Sequence, residues 1–274
     1  DPLYNFAAVV DDAEMEISHV IRGEDHISNT PKQILVYEAL GKTPPLFAHL
    51  PLILAPDRTK LSKRHGAMAV VDYKKDYLPE AVVNFLGGLG YTFSKDILSR
   101  EEMIQEFELS KIHKSGAIFD TKKLNWINCQ YIRRLTPAEF KNLTNLNISN
   151  SAVPLVTERL EKLSDAQEFS YLWSEPIYEK ELLNWKDTEW HITQESLERA
   201  LGVIENWDFQ DSEILKHRLD VVAGDNRGMV YWPLRVALSG KEKSPDPVQL
   251  VVVLGKNEVV KRVKKAIGKT EFNS

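Results

Sequence analysis

The 274 residues are 43% hydrophobic and 27% charged, enough for two or three compact units that each bury a core and too polar for a protein built from membrane-spanning helices. A net charge of −5 and a pI near 5.9 exclude a global basic field, so a nucleic-acid partner would need a local basic stripe. One cysteine, Cys129, excludes an internal disulfide and a multi-cysteine zinc site in these residues; no apolar run has the length of a bilayer span and no signal-peptide pattern opens the chain, so a cytoplasmic location is expected.

Tyr4 to Val10 and His19 to Ile21 read as strand-like runs. The second ends in Arg22, Gly23, Glu24, Asp25 and His26, a charged edge of the kind that binds ligands beyond the carboxyl ends of strands in open α/β sheets. Ser28-Asn29-Thr30-Pro31 marks a helix start with proline in the first turn, and Gly41 is the stop. Pro51 to Leu54 is a short apolar strand, followed by the turn cluster Ala55 to Thr59 and then Lys60-Leu61-Ser62-Lys63-Arg64. Two lysines and a serine in five residues make a poor core segment and a good polyphosphate cradle. A solvated turn has the same composition, and the strand-turn-loop order is what favours the cradle.

From about Leu78 the pattern becomes helical. Leu78 to Leu86 reads as a helix ending at Gly87-Gly88, Ser99 to Glu102 as a capping box opening a helix with Met103, Ile104 and Phe107, and Asp120-Thr121 as the start of a helix with Leu124, Ile127 and Tyr131 on one side. Asn142 to Ser151 reads as a polar loop. Helices are expected over Leu155 to Leu163, Glu168 to Trp173 and Thr193 to Leu201, the last with Thr193 as N-cap and Gly202 as stop. Val248 to Lys269 reads as two helices hinged at Leu254-Gly255. The basic clusters are Lys60/Lys63/Arg64, Lys111/Lys114, Lys122/Lys123, Arg133/Arg134 and Lys261/Arg262/Lys264/Lys265/Lys269, each also readable as a solvated face.

The stretches His19 to Gly41, Phe47 to Leu54, Asp57 to Ala67 and Tyr77 to Tyr91 closely resemble the bacterial glutamyl-tRNA synthetase family of class I aminoacyl-tRNA synthetases. The resemblance continues through Phe119-Asp120 and Lys123 to Asn128 to Tyr131-Ile132-Arg133, and returns at Leu234 to Gly240 and Leu254 to Lys256. It implies a mainly α fold with an α/β start: the C-terminal half of a class I Rossmann catalytic domain, then an α-rich stem-contact region and all-α anticodon-binding bundles. The expected division is 1–54 for the Rossmann half, 55–138 for the lysine loop and stem-contact region, and 139–187 and 188–274 for two anticodon-binding subdomains. The family's His-x-Gly-His type signature is absent, so the resemblance implies a C-terminal fragment, inactive without an N-terminal half.

What the resemblance implies for function is a glutamate–tRNA ligase that uses ATP and Mg²⁺ to form glutamyl-adenylate and transfers the glutamate to tRNA(Glu), acting as a monomer. Forming an adenylate builds negative charge on the phosphates, so the chemistry needs positive charge and positioning. Lys60, Ser62 and Lys63 match the catalytic lysine signature, with Lys63 on the phosphates. Glu24, Asp25, His26 and Leu52 match positions around ATP, and Tyr4 and Arg22 match the glutamate pocket. A guanidinium suits a carboxylate through bidentate pairing that lysine cannot reproduce. Some members carry a second glutamate and an aromatic where Asp25 and His26 stand, and an asparagine where Ala8 stands. For tRNA, the matching positions are Asn125, Trp126 and Arg133 inside the bend and Arg159 and Arg235 at the anticodon. A stand-alone tRNA-binding module without catalysis is the alternative.

Overall fold

The computed structural model describes residues 2–62, 64, 69–208 and 210–270. Tyr4–Glu14 forms a helix, α1, where the sequence reads as a strand. Ala7, Ala8 and Ala13 are strong helix formers, and a short apolar run has no periodicity that separates strand from helix. Strand β1, His19–Gly23, lies parallel to β2, Leu46–Leu50, with Arg22 opposite His49. Parallel neighbours cannot be joined by a tight turn, so the chain crosses over through the 3₁₀ segment Glu24–Asn29 and helix α2, Thr30–Ala39. Pro31 sits in the first turn of α2, and Gly41, at φ 67°, closes it as expected.

A second parallel pair joins β3, Ile53–Leu54, to a strand arriving from after two further helices, α3 (Pro79–Gly90) and α4 (Arg100–Glu106). That strand is β4, Ala117–Ile118; a Cβ on the preceding Gly116 would lie 2.7 Å from the Leu52 carbonyl oxygen, so a side chain there would force the pair apart. The α3 helix runs through Gly87 and Gly88 instead of stopping there; a Cβ on Gly87 would make only an ordinary contact with the Phe93 ring at 3.4 Å and one on Gly88 would meet open space, so neither position needs a turn. The capping box forms as read: Ser99 Oγ accepts from the Glu102 amide and the Glu102 carboxylate accepts from the Ser99 amide.

Helix α5, Thr121–Ile132, begins where Asp120 accepts from the Lys122 amide at 2.8 Å. It buries Leu124 and Ile127 together with Asn128, which is fully buried. Asn128 accepts from the Leu78 amide at 2.9 Å and donates to the Asp76 carbonyl at 3.1 Å, fastening the segment that enters α3.

The chain divides into two compact units, Asp1–Tyr131 and Ile132–Ser274. The second is helical: α6 (Pro137–Thr144), α7 (Val153–Thr157), a 3₁₀ segment Leu163–Leu172, α8 (Trp190–Glu205), α9 (Ser212–Ala223), α10 (Arg227–Ser239), α11 (Pro247–Leu254) and α12 (Lys256–Thr270). Its core joins Leu197, Ala200 and Ile204 of α8 to Leu234 of α10 and Val259 and Val263 of α12. Gly255, at φ 77°, makes the hinge between the last two helices where the sequence reads one.

In the second unit, several boundaries differ from the sequence reading. Helix α6 extends to Thr144 before left-handed Asn145 ends it, so the polar loop starts later than Asn142. Helix α7 stops at Thr157, because Arg159 turns back to take the Leu155 carbonyl at 2.8 Å and so caps the end. Residues Glu168 to Leu172 belong to the 3₁₀ segment, not an α-helix. Thr193 lies inside α8 and donates to Asn184 at 2.7 Å, while Gly202 is passed because the buried face outweighs the ~1 kcal/mol that one glycine costs. Among the described residues, no helix is long and apolar enough to cross a membrane.

Asn128→Ala leaves the buried Leu78 amide without an acceptor, so urea unfolding followed by circular dichroism is expected to show a loss of about 1–3 kcal/mol.

Candidate functional site

The carboxyl end of β1 gathers most of the expected ligand residues of the first unit. Arg22 is part-buried, and its Nη2 donates to Thr30 Oγ1 at 2.7 Å and to Gln33 Oε1 at 2.8 Å, both on α2. The guanidinium carbon lies 5.4 Å from the centre of the Phe47 ring, and Thr30 Oγ1 is in turn 2.9 Å from His49 Nε2. Arg22 Nε is buried and meets no protein acceptor. One nitrogen thus fixes the plane of the guanidinium through neutral acceptors, which leaves its positive charge without a protein counterion among the described residues.

Around this fork, Tyr4 in the first turn of α1 lies 6.0 Å from the His26 ring, and Glu24 accepts from the Leu52 amide at 3.1 Å. Asp25 accepts from Lys60 at 2.9 Å. The turn before the lysine loop closes through Ala55 N to Thr59 O at 2.8 Å and Leu61 N to Ile53 O at 3.0 Å, with Arg58 left-handed at φ 65°. Lys60 is therefore anchored twice, by its bridge to Leu54 and by its ammonium on Asp25. Ser62 is half-buried, and Lys63 lies outside the described residues.

In the second unit, a cleft of about 250 Å³ is lined by Arg159, Phe169, Tyr171, Lys241, Lys243 and Ser244, among others. Arg159 also reaches Gln249 at 3.2 Å. Arg235 is half-buried and donates to Ser244 O at 2.6 Å and Pro245 O at 3.2 Å, holding the turn that forms one wall. Burial pushes the Tyr171 phenol well above its ordinary range, against the opposing fields of Arg159 and Arg235. The cleft combines aromatic faces with three cationic side chains against one acid, Glu168, a balance that suits an unstacked base and its phosphate. A larger cleft of about 510 Å³ has Glu158, Glu213 and Asp246 in its wall against Lys216, a balance that repels phosphate.

A family model described as "tRNA synthetases class I (E and Q), catalytic domain" matches residues 1–126, and one described as "Anticodon binding domain" matches residues 120–267. The chain belongs to the family of that anticodon-binding model, which spans more than half of it, and its first 126 residues match the class I catalytic model for E and Q.

Glutamate–tRNA ligase of Francisella tularensis is 40% identical over 290 residues, a match covering 97% of this chain and 61% of the relative. Glutamate–tRNA ligase 2 of Caldanaerobacter subterraneus is 38% identical, covering 98% of this chain and 60% of the relative. The crystal structure of a glutamate tRNA ligase from Elizabethkingia meningosepticum in complex with its amino acid superposes with a TM-score of 0.80 at 32% identity, over 98% of this chain and 61% of that one. The chain thus spans about three-fifths of the length of these relatives.

Of the positions the family resemblance singles out, Tyr4 meets His26, Glu24 meets Leu52 and Asp25 meets Lys60, while Arg22 contacts Thr30, Gln33 and Phe47. Asn125 accepts from the Tyr77 hydroxyl at 2.7 Å, and Trp126 is 46% exposed on α5. Arg133 is exposed and donates to the Glu158 carbonyl at 2.9 Å. The C-terminal lysines are engaged by protein groups: Lys265 with Glu175 at 2.5 Å, Lys264 with Glu205 at 2.9 Å, and Lys269 with the Tyr178 carbonyl at 2.7 Å. Thr30, Gln33 and His49 were not among the expected site residues, nor were Phe169, Tyr171, Lys241 and Lys243. A signal for the first group exists in the spacing of Thr30, Gln33 and Tyr37, which puts polar side chains on the buried face of a short helix.

The Lys60 hydrogen bond holds the Asp25 carboxyl below its ordinary range. A carboxylate lowered in this way is charged at neutral pH, and its contribution is lost only as pH falls through the lowered value, so the tether is released in acid and weakened by salt, not by changes near pH 7. Asp25→Asn is expected to raise trypsin cleavage after Lys60 by roughly two- to fivefold at low salt, with the difference shrinking at high salt, as read by mass spectrometry of timed digests.

Proposed function

We propose that this chain supplies the lysine loop, part of the glutamate and ATP pocket and the anticodon-contacting region of a glutamate–tRNA ligase. The observation that carries the reading is the part-buried Arg22 fork, fixed by Thr30 and Gln33 with Nε unused, at the same strand end as the Asp25-anchored lysine loop. Residues 1–54 and 55–138 serve the adenylation site and the inside of the tRNA bend, and 139–187 and 188–274 serve the anticodon. The enzyme works as a cytoplasmic monomer.

In this reading Arg22 pairs with the side-chain carboxylate of glutamate, and Tyr4 and His26 line the same edge. Glu24, held on the Leu52 amide, fixes the backbone beside which the adenine lies. Lys60, Lys63 and the Ser62 hydroxyl meet the phosphates of ATP, where charge develops as pyrophosphate leaves, and Asp25 keeps Lys60 close until the phosphates compete for it. Mg²⁺ would be carried on the ATP phosphates, which bind it with few protein ligands. Asn125, Trp126 and Arg133 contact the inside of the tRNA. The Arg159 cleft takes an anticodon nucleotide, with Arg235 holding its wall.

The test is glutamate- and tRNA-dependent pyrophosphate release, measured for the chain alone and mixed with the N-terminal portion of a full-length relative. Activity is expected in the mixture alone, with Lys63→Ala and Arg22→Lys each lowering it by about a hundredfold or more. No activity in any mixture, with tRNA binding intact, would make the chain a tRNA-binding module.

A further inference from the structure

Arg262 is the one charged side chain of α12 that the helix turns inward. Its side chain is 3% exposed, whereas Lys261, Lys264 and Lys265 are 57–60% exposed on the other side. Its neighbours on the inward face are Val259, Val263 and Ala266, all fully buried, a setting in which an aliphatic residue would pack and no charge is called for.

The guanidinium is matched instead by four acceptors. Nε donates to Glu258 at 2.7 Å, Nη1 to the Tyr171 and Leu238 carbonyls at 2.7 and 2.6 Å, and Nη2 to the Ser174 carbonyl at 3.0 Å. The three carbonyls lie at the ends of two helical segments, where the chain's own amides leave them unpaired: Tyr171 and Ser174 at the close of the 3₁₀ segment, Leu238 in the last turn of α10.

Those two segments continue directly into the two walls of the 250 Å³ cleft, Phe169 and Tyr171 on one side and Lys241 and Lys243 on the other. Lys241 ties the walls together a second time, through the Glu168 carbonyl at 2.6 Å.

We infer that Arg262 is a positioning residue for anticodon reading: its fork sets the gap between the aromatic wall and the lysine wall of the cleft, and with it the fit of the base that enters. The inference rests on the proposed reading of that cleft as an anticodon site. A lysine in its place keeps the charge but offers one compact ammonium where three carbonyls and Glu258 converge, so the walls lose their common anchor while the helix stays.

The test uses the full chain and two RNA probes, an unmodified tRNA(Glu) transcript and the same transcript with single anticodon substitutions. Binding is measured by fluorescence anisotropy after circular dichroism has shown each variant folded. The quantity read is the ratio of Kd for substituted over cognate transcript. Arg262→Lys is expected to lower this ratio about tenfold while affinity for the substituted transcripts stays within about twofold, and Lys264→Met is expected to leave both unchanged. An unchanged ratio in folded Arg262→Lys overturns the inference. Should that variant unfold, Glu258→Gln loosens the same fork at a more exposed position; a ratio lowered about two- to threefold supports the inference and an unchanged one overturns it. A wild-type ratio of one would remove the anticodon reading itself, which separates that failure from the failure of Arg262.

Discussion

Parallel pairing of β1 with β2 is the constraint from which the first site is built. Strands that run the same way need a crossover, and here the crossover is a 3₁₀ segment and a helix that must start within a few residues of Gly23. That geometry places the first turn of α2 beside the last residues of β1, so Thr30 and Gln33 meet the Arg22 guanidinium, and the acids of the turn are presented at the strand end. Gly23 fits the same logic, since a Cβ there would come 2.5 Å from the Asp25 carboxylate that holds Lys60. The charged strand end is a consequence of connectivity, and the side chains add the chemistry.

Within that edge the interactions are graded. Arg22 is part-buried and held by neutral acceptors, so its position is fixed without neutralising its charge, and the charge stays available to a ligand. Lys60 and Asp25 are both exposed, 60% and 44%, and an exposed pair is weak, screened by salt and readily exchanged for a phosphate. A firm guanidinium and a loose ammonium at one strand end suit two different tasks, one recognising a small carboxylate and the other following charge as it develops.

Much of this was legible in the sequence where a local rule has a single outcome. Ser99 with Glu102, Pro31 in the first turn of α2, Gly41 after it and Gly255 between α11 and α12 all do what their side chains, or lack of one, dictate locally. The charged end of β1, with its acids in the turn that follows, was also legible. The reading failed where tertiary burial decides. Tyr4 to Val10 has no period that separates strand from helix, and Thr193 has the chemistry of a cap but is buried three residues inside α8 by its bond to Asn184. Arg159 shortens α7 by folding back on the Leu155 carbonyl, a contact that no window of sequence announces. The partners of Arg22 on α2, and the two walls of the Arg159 cleft, come from segments distant in sequence and exist only once the chain has folded.

Helix α12 shows the same division between local and tertiary control in one element. Its sequence reads as a basic face, and in the structure those lysines are spent on Glu175, Glu205 and the Tyr178 carbonyl, exposed contacts worth little individually. The inward cation is different in kind. An unmet buried guanidinium would cost several kcal/mol, so its presence is tolerated because Glu258 and carbonyls from two separate helix ends converge on it. Such a contact does little for net stability compared with an aliphatic side chain of the same size, yet it admits one relative placement of the segments that end there. That is what a cleft reading a single base needs: a fixed width between an aromatic face and a cationic one, held by a group that tolerates no slack.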